Sequence, residues 1–110
     1  MINKPFSFEI TAHGGAEFPL ARAGVIKTPH GEIQTPTFTV VGTHAEVKFL
    51  PPENLRSIGV QAVLSNGYHL LRRAVMIDAD GGLAKFSGWN GPTLTDSGGL
   101  QEEAPALGKP

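Results

Sequence analysis

The feature that most constrains the fold of this chain is a series of short apolar stretches, each followed by a polar or glycine-rich loop. Residues 38–41 and 60–64 are stretches of this kind, and residues 92–95 are predicted as a third short strand that runs directly into such a loop. A helix that begins at two prolines is predicted over residues 51–59, and a second helix over residues 69–79. Because strands alternate with helices, the sequence predicts right-handed crossovers, a parallel sheet and an α/β fold. The first stretch is almost continuously apolar, so we expect it to be buried on both faces.

The residues before this series predict antiparallel structure. Apolar and polar side chains alternate over residues 6–10, which is typical of a half-buried strand. An apolar run at residues 23–28 is followed by Pro29-His30-Gly31 and then by residues 32–34, and this order predicts a hairpin around a Pro-x-Gly turn. The 14 glycines and 9 prolines favour such a turn-rich chain over a helical bundle.

Charge and cysteine content exclude several kinds of site. Nine basic and ten acidic residues give a formal net charge of −1, so a nucleic-acid partner cannot be argued from charge. The chain has no cysteine, and its four histidines lack ligand-like spacing, so we expect no metal site in this segment. No apolar stretch approaches the ~20 residues of a membrane span, which predicts a soluble cytoplasmic protein.

The most informative cluster is Asp96-Ser97-Gly98-Gly99, directly after the third predicted strand. Ligands of α/β proteins bind at the carboxyl ends of parallel strands, where Asn66 and Asp96 would then lie near one another. Paired glycines let the backbone approach a ligand, and a carboxylate can bind a planar donor edge or serve as a base. Judged on local pattern alone, however, an Asp or Ser that caps a following helix is the commoner interpretation.

Several blocks of the sequence resemble the tRNA-guanine transglycosylase (queuine tRNA-ribosyltransferase) family, and they occur in that family's order. The resemblance covers roughly residues 6 to 101, and so many ordered blocks are far more specific than one motif. The blocks are A-R-A-G-V-I-K-T-P-H-G at residues 21–31, I-Q-T-P-T-F at 33–38, V-G-T at 41–43, N-G-Y-H-L at 66–70, G-G-L with Phe86 and Trp89 at 81–89, and L-T-D-S-G-G-L-Q at 94–101.

The resemblance implies the N-terminal part of a TIM-type (β/α)8 barrel, preceded by a β-hairpin. Residues 1–35 would be the strand and hairpin lead-in, residues 36–101 the first strands and helices of the barrel, and residues 102–110 a divergent tail. A complete barrel takes about 250 residues, so the barrel is incomplete in this chain. Exposed sheet edges invite pairing with other chains, and we therefore expect the isolated segment to fold poorly or aggregate.

The family exchanges a guanine in the anticodon of tRNA for a queuosine precursor or queuine. The resemblance gives Asp96 the acid/base and base-recognising role. Ser97, Gly98, Gly99 and Leu100 would line the base pocket, with Asn66 at the same rim. The partners implied are tRNA, a guanine-like base and a second subunit of a dimer. The family's nucleophilic aspartate and its Cys/His zinc site have no counterpart in this segment, so no cofactor is assigned to it.

The sequence departs from the family pattern at four places. Leu100 replaces the aromatic residue that stacks on the bound base, and Gly67 replaces the threonine of N-T-Y-H-L. Residues 71–74 lack the proline and glycine of L-R-P-G. The adjacent Arg72 and Arg73 could touch a phosphate backbone, but we interpret them as a solvated pair at a helix surface. The run after Gln101 is also different. These departures favour an alternative, a non-catalytic truncated paralogue or partner subunit. A different TIM-barrel enzyme would need a Schiff-base lysine or a phosphate loop, and the sequence shows neither.

Overall fold

A computed structural model describes residues 4–99 of the 110-residue chain. Two three-stranded sheets and four short helices are formed by these residues. In chain order the elements are β1 (Ser7–Gly14), β2 (Phe18–Thr28), β3 (Gly31–Thr35), β4 (Val40–Val41), α1 (Pro52–Ser57), β5 (Val63–Asn66), α2 (Gly67–Leu71), α3 (Ala74–Ala79), α4 (Leu83–Ser87) and β6 (Thr93–Asp96).

The N-terminal sheet is antiparallel, with the order β1-β2-β3. The predicted hairpin is confirmed, because β2 and β3 pair around the Pro29-His30-Gly31 turn with Thr28 opposite Gly31. The Thr28 hydroxyl donates to the Gly31 carbonyl at 2.8 Å and accepts from the His30 amide at 3.1 Å, which closes the turn. The predicted first strand is also present, but both its faces are exposed, including Phe8 and Ile10.

The second sheet is parallel, with the order β4-β5-β6, so the predicted mixed α/β class and the parallel pairing are confirmed. Its middle strand begins three residues later than the sequence predicts. Val60 is not part of that strand, because its amide donates to the Leu55 carbonyl at 3.0 Å and closes the end of α1. The strand instead continues through Ser65 and Asn66, both buried polar residues that the sequence places in a loop.

The core lies on one face of this parallel sheet. Leu55 of α1, Val63 of β5 and Trp89 are nearly inaccessible to solvent and pack together. The indole N–H of Trp89 donates to the Pro92 carbonyl at 2.9 Å, so the polar atom of this buried ring is satisfied. Trp89 is therefore a core residue.

The opposite face of the parallel sheet is open, and the prediction that the first apolar stretch is buried on both faces is wrong. Val41 is 56% exposed, Leu94 is 44% exposed, and Phe38, which lies before β4, is 79% exposed. Successive side chains of a strand point to opposite faces, so Val40 joins the core while Val41 does not. No element among residues 4–99 covers the face that carries Val41 and Leu94.

The connection between β5 and β6 contains three short helices, whereas the sequence predicts one helix over residues 69–79. The break falls at Arg72 and Arg73, where Arg73 has φ −110° and ψ 10°. The unpredicted α4 begins after Gly82 (φ 116°) and ends at Gly88 (φ 76°). None of the helices found in residues 4–99 combines the length and the apolar character needed to cross a membrane.

Candidate site at the carboxyl end of the parallel sheet

The carboxyl ends of β4, β5 and β6 form one rim, and the structure places Asn66 and Asp96 side by side on it. The two residues are register partners at the ends of β5 and β6. The Asn66 amide also donates to the Thr43 carbonyl at 3.3 Å, which joins the loop after β4 to the same rim. The juxtaposition expected from strand order alone is therefore present.

The Asp96 carboxylate is held by backbone amides from two different loops. Its Oδ1 accepts from the Gly67 N–H at 3.3 Å and from the Gly98 N–H at 3.2 Å. Such bonds fix the direction of the side chain. Gly67 lies in the connection after β5, whereas Asp96 lies at the end of β6, so this bond joins two different connections. An aspartate that only capped a following helix would not need such a bond. Asp96 itself is exposed at the rim, where it can meet a ligand.

Both residues that donate to Asp96 are glycines with backbone close to the place a Cβ would take. Gly98 has φ +68°, and a Cβ there would lie 2.8 Å from the backbone nitrogen of Tyr68. A Cβ on Gly67 would lie 2.6 Å from the carbonyl oxygen of Asp96. Both distances are shorter than any ordinary contact, so a side chain at either position requires the two loops to move apart. The threonine of the family pattern N-T-Y-H-L would therefore need a different spacing of these loops from the one seen with Gly67.

The other residues proposed for the site divide into those near Asp96 and one that lies outside the described part. The Ser97 hydroxyl accepts from the Gly99 amide at 3.2 Å, which shapes the loop after β6. Asn66 is 7% exposed, and its Oδ1 accepts from the His69 amide at 2.9 Å at the start of α2. The side-chain nitrogen of Asn66, Nδ2, can donate a hydrogen bond to a ligand. Leu100 lies outside the described residues.

A set of rings and one guanidinium beside Asp96 was not singled out from the sequence. The His44 ring lies edge-on to the His69 ring with centroids 4.9 Å apart, and the His69 ring meets the Tyr68 ring at 5.6 Å. The Arg72 guanidinium lies 5.9 Å from the centroid of Tyr68. We call these four residues the rim cluster. A signal was present in the sequence, since His44 and Tyr68-His69 follow two adjacent strands.

A cavity of about 450 Å³ lies on the other face of the sheet. Val63, Ser65 and Thr93 line it from the sheet, and Leu55 and Trp89 line it from the core. Side chains alternate between the two faces of a strand, so these three strand residues lie on the face opposite to Asp96. Its lining is mostly apolar, and Glu46 is the only carboxylate among the residues that form it. The cavity is therefore separate from the rim and lacks the paired groups that acid/base chemistry requires.

The histidine, aspartate and glutamate side chains of residues 4–99 are not gathered into a cluster. No three of them are grouped closely enough to hold an ion, and the whole chain has no cysteine. The rings of His44 and His69 lie together, with no third donor of this kind grouped with them in that range. The zinc site that the sequence resemblance implies for the family is expected outside this segment, and no chemical step is assigned to a metal here.

Comparison with known proteins decides the family. A family model described as queuine tRNA-ribosyltransferase matches residues 18–107. The chain belongs to this family. The match includes the parallel sheet and the Asp96 loop, so the resemblance seen in the ordered sequence blocks is confirmed.

Curated relatives that carry the name queuine tRNA-ribosyltransferase agree with this assignment. The protein of Ruegeria sp. is 53% identical over 98 residues, which are 87% of this chain and 25% of the relative. The Thermus thermophilus protein is 50% identical over 99 residues, with 88% of this chain and 25% of the relative covered. The Cyanothece sp. protein is 48% identical over 101 residues, with 90% and 26% covered. The chain thus spans about a quarter of the length of the curated relatives it matches.

Proposed function

We propose that this chain forms the acid/base half of the active site of a tRNA-guanine transglycosylase. Such an enzyme replaces a guanine in the tRNA anticodon with a queuosine precursor or queuine. The observation that carries the proposal is the position of Asp96 at the carboxyl end of β6, with its carboxylate oriented by the amides of Gly67 and Gly98. Membership of the queuine tRNA-ribosyltransferase family supports the same reaction class.

Asp96 has the position and chemistry for two tasks. Base exchange breaks the bond between the ribose carbon and the guanine, while a carboxylate nucleophile forms a covalent bond to that carbon. The departing guanine must gain a proton, and the incoming base must lose one before it attacks the same carbon and releases the nucleophile. We assign both proton transfers to Asp96, and the nucleophile to a part of the enzyme beyond this segment.

The loop after β6 is suited to receive a flat ring. Gly99 presents half-buried backbone without a side chain beside the carboxylate, Gly98 is buried next to it, and Ser97 is turned back onto the Gly99 amide. We propose that Ser97, Gly98 and Gly99 form one wall of the base pocket, with Leu100 next to them and Asn66 at its edge. A base taken out of the RNA stack requires such close backbone approach, since the pocket must enclose the ring.

We further propose that β4, β5 and β6 are the first three strands of a TIM-type barrel. Their parallel pairing in sequence order and the packing of α1 on one face support this interpretation. The open face with Val41 and Leu94 would then line the barrel interior. In this scheme residues 1–35 lead into the barrel, residues 36–101 supply its first strands and helices, and residues 102–110 are a divergent tail.

The experiment that tests the proposal uses a hybrid, in which residues 1–101 are joined to the remaining three quarters of the Thermus thermophilus relative. We expect the hybrid to incorporate labelled guanine into tRNA, because the missing nucleophile is then supplied. The isolated 110-residue chain should not do so. A folded hybrid that binds tRNA but exchanges no base would instead favour the alternative, a partner subunit without activity of its own.

A further inference from the structure

We propose that the rim cluster binds the phosphate backbone of the RNA strand beside the exchanged nucleotide, with His44 and Arg72 as the contacting residues. This inference rests on the proposed function, because it takes an RNA strand to be present at the rim. It adds a binding site that the acid/base chemistry of Asp96 neither uses nor requires. The cluster consists of His44, Tyr68, His69 and Arg72, as defined above.

The four side chains form a continuous line in the order His44, His69, Tyr68 and Arg72, and the two ends of the line are exposed. His44 and Arg72 are exposed, whereas Tyr68 and His69 between them are half-buried. Each neighbouring pair is in ring–ring or cation–ring contact, at 4.9, 5.6 and 5.9 Å. The inner rings thus limit the freedom of the outer groups, and an ordered donor loses less entropy when it binds a ligand. Arg72 rests against an aromatic ring, a contact that guanidinium groups favour.

The cluster is fixed relative to Asp96 by three short-range contacts. The His69 amide donates to Asn66 Oδ1 at 2.9 Å, and Asn66 is the register partner of Asp96. The Gly67 amide, one residue before Tyr68, donates to the Asp96 carboxylate. The backbone of Tyr68 is also in direct contact with Gly98. A strand that delivers a base to Asp96 therefore passes beside these side chains.

The chemistry of the exposed ends suits phosphate. A guanidinium forms paired, charge-assisted hydrogen bonds to phosphate oxygens, and an imidazole N–H donates to them as well. Proteins that hold single-stranded nucleic acid combine such cations with ring surfaces, which is the composition of the rim cluster. The net charge of these 110 residues is −1, so this segment adds no general positive field. Its contribution to RNA binding must therefore come from local donors.

The test measures binding of a fluorescently labelled anticodon stem–loop RNA to the hybrid over a series of salt concentrations. Each phosphate contact to a single strand contributes about 0.7 to the slope of log affinity against log salt. We expect Arg72→Gln to lower that slope by about 0.7 and to weaken binding about tenfold at low salt. His44→Ala should weaken binding about fivefold through loss of one hydrogen bond.

Two matched variants separate charge from packing and from global effects. Arg72→Lys keeps the charge and should retain the slope of the unmodified hybrid. Arg22→Gln removes the same charge from an exposed position on β2 and should change neither slope nor affinity. Arg72 and His44 are exposed, so the unfolding midpoint should be unchanged in all these variants.

The outcomes distinguish this inference from the proposed function. An unchanged slope and affinity in Arg72→Gln, or no RNA binding by the unmodified hybrid, would overturn the role of the rim cluster. If Arg72→Gln loses slope while Asp96→Asn keeps its exchange activity, the cluster binds RNA and the acid/base assignment is the one that fails.

Discussion

Replacing Gly98 with alanine should both destabilise the protein and displace its candidate acid/base group. Gly98 has φ +68°, a conformation that costs an L-residue roughly 1–2 kcal/mol. The added Cβ would also lie 2.8 Å from the backbone nitrogen of Tyr68, and relief of such overlap costs about 1–3 kcal/mol. The two effects together predict a loss of about 2–5 kcal/mol in the free energy of unfolding.

The assay is chemical denaturation of the hybrid, with Gly15→Ala as the control. Gly15 has φ +77°, but nothing lies within 4 Å of a Cβ built there, so this variant shows the cost of the conformation alone. The difference between the two variants is then the cost of the contact with Tyr68. Guanine exchange should fall by about 100-fold in Gly98→Ala, since a shift of the Gly98 amide misplaces the carboxylate that it holds.

Equal losses of stability in Gly98→Ala and Gly15→Ala would refute this reasoning, because the close contact between the two loops would then contribute nothing. Normal exchange by a destabilised Gly98→Ala hybrid would show that the Gly98 amide does not position Asp96.

Three further changes test other parts of the structure. Trp89→Phe removes the indole donor at 2.9 Å from the Pro92 carbonyl, which keeps the Val63 amide at 3.2 Å, so denaturation should show a loss of about 0.5–1.5 kcal/mol for the hydrogen bond. Gln61→Ala removes the side chain whose Oε1 accepts from the Gln34 amide at 2.7 Å, so faster hydrogen exchange is expected at that amide. Leu100→Tyr restores a ring in the base pocket and should tighten guanine binding by ~1–3 kcal/mol, measured by calorimetry on the hybrid.

Elements with a local chemical signal could be predicted from the sequence. The hairpin follows from Pro29-His30-Gly31, whose turn closes on Thr28. The helix α1 follows from two prolines at its start and a glycine after its end. The placement of Asp96 at a rim follows from strand order, because parallel strands end at the same edge.

Features that depend on tertiary contacts could not be predicted in this way. The strand β5 starts late because Val60 bonds back to Leu55. The break between α2 and α3 occurs at two arginines, which are good helix formers, so propensity gives no warning of it. The exposure of Val41 reflects which elements cover the sheet, a fact that an apolar sequence does not contain.

The candidate site was predictable in its main residue but not in its surroundings. The motif and its resemblance to a family indicated Asp96. The hydrogen bond from the Gly67 amide to Asp96 joins two separate loops, so it depends on the tertiary fold and has no signal in the sequence. The rim cluster was not predicted because its members come from two separate connections, and the position of His44 and Tyr68-His69 after adjacent strands does not show that their rings meet.

The most direct test of the central claim is the rate of labelled-guanine exchange into tRNA by the hybrid with Asp96→Asn. Asparagine is close to aspartate in size but cannot transfer the proton, so the account predicts a fall of about 10²–10⁴-fold. Asp78→Asn makes the same chemical change at an exposed position on α3 and should exchange at the unmodified rate. Full activity in Asp96→Asn would contradict the account, because the acid/base group would then lie elsewhere.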